Sequence, residues 1–520
     1  MATDPRDDQY VLVVDLGTGG PKVGFVSLLG RVVHQEHHEV ETTYLPGGGA
    51  TQDAEEWWTL IIGAAKAALA SGAVDPTKVV AVSMTGQWAS TVPVDEDGVP
   101  VGPCVMWMDS RGGELVRQKV GGPVSGYKAR GIAEFIRRSG GAPSLDGADP
   151  IGHRLYLQHH EPDLWNRSRW VLEPVDYLSM RFTGLAAASP VSMTGSWLVD
   201  TRDPANISYD PVLVELAGGG ADKLPPLQKY GTVIGVVQPS VAAELGFGDR
   251  APEDAVKVVT GAPDLHTAAI GAGAVRLGEA HMAVSTTGWI SVPITRKKTD
   301  IIRQVATVPG IDDATYLVAN NHETAGMCLQ WLRNAMGGTL DYDRLTELAG
   351  ASAPGSGDVI FTPWLKGERS PVADRTMRAG FHNMSLATTQ GDLIRSVLEG
   401  VAYNNQWLHE AVEKFVGGRL DNIRFIGGGA QSDLWCQIHA DVMDRTIEQV
   451  ADPLYCGLRG AALSAAMALG EVRQDELRGL VTVKETYRPN PANRATYDRL
   501  YAEFPGLYSS QKKFFRRLNR

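Results

Sequence analysis

Cysteine is scarce. Cys104, Cys328, Cys436 and Cys456 are the four in 520 residues, scattered without the close pairing of a metal site or a disulfide framework, so a reduced, cytoplasmic setting is expected. No apolar run reaches the length needed to span a bilayer. The amino terminus, Met1-Ala-Thr-Asp-Pro-Arg-Asp-Asp, is polar and acidic, unlike a signal or transit peptide. Excess positive charge is missing too: 49 Lys and Arg stand against 60 Asp and Glu, a net charge of −11 that excludes a nucleic-acid groove as the main function. The one basic run, Lys512-Lys513-Phe-Phe-Arg516-Arg517, reads as a solvated helix end. Hydrolase signatures are also absent. There is no Gly-x-Ser-x-Gly elbow, His322-Glu323 lacks the second histidine of a zinc-protease helix, and the pairs His37-His38 and His159-His160 have no third ligand in register.

What remains is a long chain with 43% hydrophobic and 21% charged residues, the composition of a folded protein. Its length exceeds one ordinary core and predicts two large domains with a ligand cleft between them.

Near the start, Val11-Leu-Val-Val-Asp15-Leu-Gly17-Thr18-Gly19-Gly20-Pro21-Lys22-Val-Gly-Phe-Val-Ser27 reads as strand, glycine-rich turn, strand. The turn gathers a carboxylate, a hydroxyl, an ammonium and open backbone amides, which together suit a metal-bound phosphate. Walker and dinucleotide loops lead from strand into helix; here the apolar alternation resumes at once as a second strand, as in the actin-like ATPases. An ordinary hairpin is the competing reading of this segment alone.

Farther along, a helix is expected from Asp53 to about residue 70, with Asp53 as its cap, and a strand at 79–84. The stretch 112–250 mixes helix-like pieces with Gly, Pro and Asp loops and gives no clear order. A buried strand at 256–260 runs into Gly261-Ala-Pro-Asp264 and a small-residue helix at 265–274. The pattern then restarts: His281-Met-Ala-Val-Ser285-Thr286-Thr287-Gly288-Trp-Ile-Ser-Val292 is a second strand, hydroxyl-and-glycine turn, and strand. Two such hairpins imply a duplicated architecture divided near 275–279, giving domains 1–276 and 277–520. A strand at 422–426 leads into Gly427-Gly428-Gly429-Ala430-Gln-Ser-Asp433, where glycines allow close backbone approach to a ligand at the start of a helix expected over 434–443.

Taken in order, these motifs resemble the FGGY carbohydrate kinases over essentially the whole chain. The resemblance implies an α/β fold of two actin-like, ribonuclease H-like ATPase domains around a central cleft, with ATP and Mg²⁺ as cofactors. Asp15, Gly17, Thr18 and Lys22 look like the first phosphate motif, and Thr286 and Thr287 the second. Asp264 falls at the family's catalytic aspartate, where it would take the hydroxyl proton and, with Asp15, face the metal. It also stands where an N-cap would. Gly326, Gln330, Gly428, Gly429, Ala430 and Asp433 fall at the adenosine side, with Trp331 beside them, and Arg395 through Gly400 match the C-terminal signature. Gln87, Trp88, Ala89, Trp107, Asp109 and Leu265, with Asp264, fall on the sugar side. Lys22 has two readings: charge neutralisation at the phosphates, or an exposed strand face.

The sugar side departs from the xylulose kinases, the most similar branch. Their Gly-Gln-Met-His-Gly is Gly86-Gln87-Trp88-Ala89-Ser90 here, the Asn after the aspartate is Leu265, followed by His266, and the Asn before the sugar-site aspartate is Met108. Three polar contacts become apolar, which bears on the hydroxyl pattern accepted. Trp88 either stacks on a sugar or fills the vacated space. Ser285 replaces a glycine in the second turn. The expected activity is phosphorylation of a primary hydroxyl of a ketopentose or related sugar. The alternatives are another ketose, a polyol such as glycerol or a sugar acid as acceptor, a nucleotide-driven protein of the actin and chaperone kind, or an inactive sugar-binding relative. The expected partner is a small-molecule sugar, with no nucleic acid and no membrane; a homodimer is compatible.

Overall fold

The computed structural model describes residues 4–248 and 250–519. Residues 1–3 of the polar amino terminus lie outside them. Strand β1 (Tyr10–Gly17) is apolar on both faces, with Leu12, Val14 and Leu16 in one core and Val11 and Val13 in another. It pairs antiparallel with β2 (Gly20–Ser27), which sets Asp15 opposite Lys22 and Gly17 opposite Gly20. The tight return requires glycine at position 20, whose φ is +125° and where a Cβ would lie 2.0 Å from the His38 carbonyl oxygen. Strand β3 (Val32–His37) extends the meander.

Helix α1 (Ala54–Ala70) starts where Asp53 accepts the Glu55 N–H at 2.9 Å, and it buries Trp57, Ile61, Ala65 and Ala68. Strand β4 (Val79–Gly86) then lies parallel to β1. The stretch that gave no clear order contains short helices, Gly113–Val120, Ala129–Arg138 and Pro150–His160 among them, around a satellite core of Val116, Phe135, Ile151, Leu155 and Leu213. Helix α2 (Pro174–Thr183) returns the chain to the main sheet, which β5 (Val233–Val236), β6 (Lys257–Val259) and β7 (Ala262–Pro263) complete. The order is β5-β6-β4-β1-β2-β3, with β7 alongside β4. Helix α3 (Asp264–Gly271) ends three residues before the expected 274, because Gly273 takes a left-handed φ of +66° directly after the Ala272 C-cap.

The second half repeats the plan. Strands β8 (Ala280–Val284) and β9 (Gly288–Ser291) form a hairpin. Strands β10 (Val305–Pro309) and β11 (Tyr316–Ala319) belong to a separate ribbon. Helices α4 (Met327–Ala335) and α5 (Gln390–Val416) precede β12 (Asn422–Ile426), which lies parallel to β8 as β4 lies parallel to β1. Helix α6 (Asp433–Met443), β13 (Thr446–Val450), helix α7 (Cys456–Ala468) and β14 (Val483–Tyr487) follow. The order β9-β8-β12-β13-β14 matches β2-β1-β4-β6 in having a hairpin strand flanked by a parallel neighbour.

Between the two sheets α3 crosses α7. Cβ atoms added at Gly460 and Gly271 would lie 1.8 Å from the Thr267 carbonyl oxygen and 1.9 Å from that of Cys456, so the helices touch backbone to backbone. One apolar cluster joins Val11, Val13 and Ala81 of the first sheet to Ala268 and Ile270 of α3, Leu458, Ala461 and Ala465 of α7, and Ala283 and Ile426 of the second sheet. The C-terminal signature is structural. Buried Glu399 accepts from Arg395 at 2.7 Å, Tyr497 at 2.8 Å, Ser356 at 2.7 Å and the Gly355 amide at 3.0 Å. Among the described residues no helix is long and apolar enough to cross a membrane.

Candidate active site

Register alone brings the first half's key residues together. Asp15 is paired with Thr85 and Leu16 with Gly86 across β1 and β4, while Ala262 and Pro263 of β7 align with the same Thr85 and Gly86. The turn after β1, the segment after β4 and Asp264 after β7 therefore leave one sheet edge side by side, at the strands' carboxyl ends where open α/β sheets take ligands. Gly86 is required there, since a Cβ would lie 2.3 Å from the Leu16 carbonyl oxygen.

Asp15 is mostly buried and pairs with the Lys22 Nζ at 3.3 Å. Asp15 pushes the Lys22 ammonium up, and Asp264 adds to the effect. Lys22 thus turns toward Asp15 rather than purely toward solvent. Asp264 is open to the cleft, yet surrounding protein displaces enough water to push its carboxyl up to about 7, helped by the charge of Asp15 and opposed by the Leu265 amide and Lys22. It is the first residue of α3 rather than its cap; Pro263 holds the cap position and no side chain caps the helix.

Two side chains brace Thr18, and a third holds one of them. The Trp107 indole N–H donates to the Thr18 Oγ1 at 3.0 Å, leaving the hydroxyl's own proton free to donate into the cleft. Gln52 Nε2 donates to the Thr18 carbonyl at 2.7 Å, and its Oε1 accepts from the Trp57 indole at 3.1 Å. Sequence reasoning missed Gln52, which lies 34 residues from Thr18 and carries no motif. Gly17 lies half-buried at the strand end.

On the sugar side, Gln87 is buried, accepts from Ser90 at 3.1 Å and leaves its Nε2 without a partner. Ser90 also accepts the Trp107 N–H at 2.9 Å. Asp109 is fully engaged with Arg111, at 2.7 Å in the closest contact, and with the Ala50 amide at 2.9 Å, so it orients Arg111 rather than facing the cleft. Arg111 continues to the Tyr156 hydroxyl at 3.0 Å. Trp88 and Leu265 pack with Ala269 on Val308 of β10 and Leu317 of β11 from the other half. The Trp88 indole donates to the Ser192 carbonyl at 2.6 Å, and His266 Nε2 lies 2.9 Å from the Pro309 carbonyl oxygen across the same seam. Ala89 adopts a left-handed φ of +63°.

In the second half β8 and β12 end together, Ala283 beside Ile426, so the Ser285–Gly288 turn and the glycine run adjoin. Thr286 is exposed and Thr287 half-buried, and among the described residues neither hydroxyl is engaged by protein. Gly326 donates to the Ser285 carbonyl at 2.6 Å, and a Cβ there would approach that oxygen to 2.5 Å. Gly427 and Gly429 press on Val284, while a Cβ at Gly428 would meet only Leu454, at 3.9 Å; Gly428 is the open member of the run. A 3-10 turn, Gly428–Gln431, separates the glycines from α6, which Ser432 caps, so the run does not open that helix directly. Ala430 is buried, its amide spent on Gly427 and its carbonyl on Gln449. Asp433 is held below the usual carboxylate range by Lys484 at 2.9 Å and Gln449 at 3.0 Å. Gln330 is exposed on α4, and Trp331 stacks on Phe361.

Family models for the FGGY family of carbohydrate kinases match this chain twice, the N-terminal domain over residues 10–271 and the C-terminal domain over residues 286–469. The chain belongs to that family. A xylulose kinase of Staphylococcus epidermidis is 28% identical over 512 residues, 97% of each chain, and a gluconokinase of Bacillus subtilis is 23% identical over 93% of this chain and 92% of its own. Ligand-bound xylulose kinase from Lactobacillus acidophilus superposes with a TM-score of 0.85 at 20% identity, covering 98% of this chain and 100% of that one. This FGGY kinase therefore has two actin-like domains facing a cleft, and FGGY kinases use ATP as phosphate donor to a small-molecule sugar.

Proposed function

We propose that this FGGY kinase transfers the γ-phosphoryl group of ATP to a primary hydroxyl of a ketopentose or a closely related neutral sugar. The observation that carries the reading is the convergence of Asp15 on β1, Lys22 opposite it on β2 and Asp264 directly after β7, which lies across β4 from β1. Asp264, with its carboxyl near 7, accepts the acceptor's hydroxyl proton as the oxygen attacks phosphorus in line and ADP departs. Thr18, Thr286 and Thr287 hold phosphoryl oxygens from the two halves. Lys22 offsets charge between the carboxylates and the phosphates. Two carboxylates with room for water fit magnesium, which keeps much of its hydration shell; Asp15 and Asp264 would hold it, and when bound it neutralises phosphate charge. Among the described residues no further His, Cys, Asp or Glu joins them in a metal cluster. Gly326, Gln330 and Gly428 flank the nucleotide.

A neutral acceptor is favoured because Arg111, the one cation in residues 86–111, is committed to Asp109 and Tyr156. A coupled ADP-release assay over ketopentoses, ketohexoses, linear polyols and sugar acids tests the reading. Stimulation greatest with a ketopentose is expected. No stimulation by any compound refutes the kinase reading, and preference for a sugar acid refutes the neutral acceptor.

A further inference from the structure

We propose that Thr85 is a positioning residue for Asp264, its hydroxyl tying the first turn of α3 to β4 through Thr267. This rests on the reading of Asp264 as the base of the transfer.

The chain on either side gives Asp264 little hold. Strand β7 before it is two residues long, and the second, Pro263, has no N–H for the ladder. Helix α3 after it has no side-chain cap. Asp264 itself is exposed to the cleft rather than packed. What ties the turn down is a pair of hydroxyls. Thr85 and Thr267 are 0% and 1% exposed, and their Oγ1 atoms lie 2.6 Å apart. Thr267 Oγ1 also donates to the Asp264 carbonyl oxygen at 3.2 Å. That spends the Thr267 proton, so Thr85 is the donor between the two hydroxyls. Both buried groups are then satisfied in one direction, from Thr85 to Thr267 to Asp264.

Thr85 is placed to transmit position. It is paired with Asp15 of β1 on one side of β4 and with Ala262 of β7 on the other. Its backbone therefore lies between the strand that carries Asp15 and the strand that leads into Asp264, while its side chain reaches the helix that Asp264 begins. The Thr267 carbonyl faces α7, where a Cβ at Gly460 would come within 1.8 Å of it. Thr267 is thus held by β4 at its side chain and by α7 at its backbone. A hydroxyl pair needed only for folding would lower the urea midpoint of a variant and leave its kcat alone.

The test compares full-length wild type with Thr85→Val, Thr85→Ser, Thr267→Val and the double variant Thr85→Val, Thr267→Val, using the best acceptor from the panel. Thr85→Val keeps the branched shape and removes only the hydroxyl. Freeing the turn by about half of the 1 Å that costs a hundredfold should lower kcat about tenfold, with the ATP KM within about twofold. Thr85→Ser keeps the hydroxyl and is expected to hold kcat within about threefold. Thr267→Val breaks the same tie from the helix side and should lower kcat at least as far, which keeps the test decisive if Thr85→Val fails to fold. The double variant should fall no further than Thr267→Val, because the two residues share one interaction. A kcat within about twofold of wild type in either folded single Val variant overturns the proposal. So does a loss in Thr85→Ser as large as in Thr85→Val, or a double variant in which the two losses multiply.

If wild type turns over no sugar, it is the proposed function that has failed. Hydrogen exchange then decides the Thr85 inference by itself. The amides of Thr267 and Ala268 are expected to exchange about tenfold faster in Thr85→Val than in Thr85→Ser, and equal rates overturn it.

Discussion

Replacing Gly460 with alanine places a methyl group in the tightest contact between the halves. The added Cβ would lie 1.8 Å from the Thr267 carbonyl oxygen, about 1.2 Å inside the 3.0 Å that real Cβ atoms respect, and the obstacle is helix backbone rather than a flexible side chain. Helix α3 or α7 must shift by about that amount. Overpacking of this kind costs about 1–3 kcal/mol, so the urea midpoint should fall measurably. The functional effect should exceed the stability effect, because α3 begins at Asp264. Displacing a reacting group by about 1 Å costs on the order of a hundredfold in rate. Gly460→Ala should therefore lower kcat in the coupled ADP-release assay by roughly that factor while the ATP KM changes little, since the glycine run and the Ser285–Gly288 turn lie on the other sheet. Gly271→Ala, its reciprocal at 1.9 Å from Cys456, should behave alike, and the double variant should lose less than the two effects summed. A folded Gly460→Ala enzyme with kcat within about twofold of wild type refutes the view that this crossing sets the position of Asp264.

Asp264→Asn should abolish sugar phosphorylation by about 10³-fold or more with ATP binding, read by calorimetry, nearly intact. The same variant should be more stable than wild type at neutral pH: a carboxyl raised from 3.8 to about 7 holds its proton more tightly in the folded state, so its contribution is fully present below pH 3.8 and is lost as pH rises through about 7. Thermal melts from pH 5 to 8 check the sign. Wild-type kcat/KM should rise with pH through a limb near 7, and Lys22→Met should move that limb to higher pH, because Lys22 lowers the Asp264 carboxyl. Trp107→Phe removes the donor to Thr18, worth about 0.5–1.5 kcal/mol, and should raise the ATP KM about two- to tenfold in steady-state kinetics. Glu399→Gln strips buried Arg395 of its counter-charge and should cost about 3 kcal/mol in urea unfolding.

The seam at Trp88 shows where reading residues one by one ran short. The tryptophan at 88 and the loss of a polar group at 265 are plain in the sequence, and a change in the sugar pocket is a fair expectation from them. In the fold, both side chains contact β10 and β11, more than 40 residues downstream of Leu265, and serve the joint between the halves. Asp109 similarly carries a site motif but spends its carboxylate on Arg111 and Ala50.

The sequence by itself determined the strands β1, β2 and β12, helix α1 and the two hairpin turns, and singled out Asp15, Thr18 and Asp264 as candidates, because apolar alternation, caps and glycine turns are encoded within a few residues. It did not reveal the short helices between 112 and 248, whose apolar faces are too brief to show a period. Tertiary structure alone decided that Lys22 pairs with Asp15, that Gln52 and Trp107 brace Thr18, and that Ala430 is inward and Gly428 open. Each depends on which strands lie side by side, and that is fixed by burial summed over the whole chain rather than by any local run of residues.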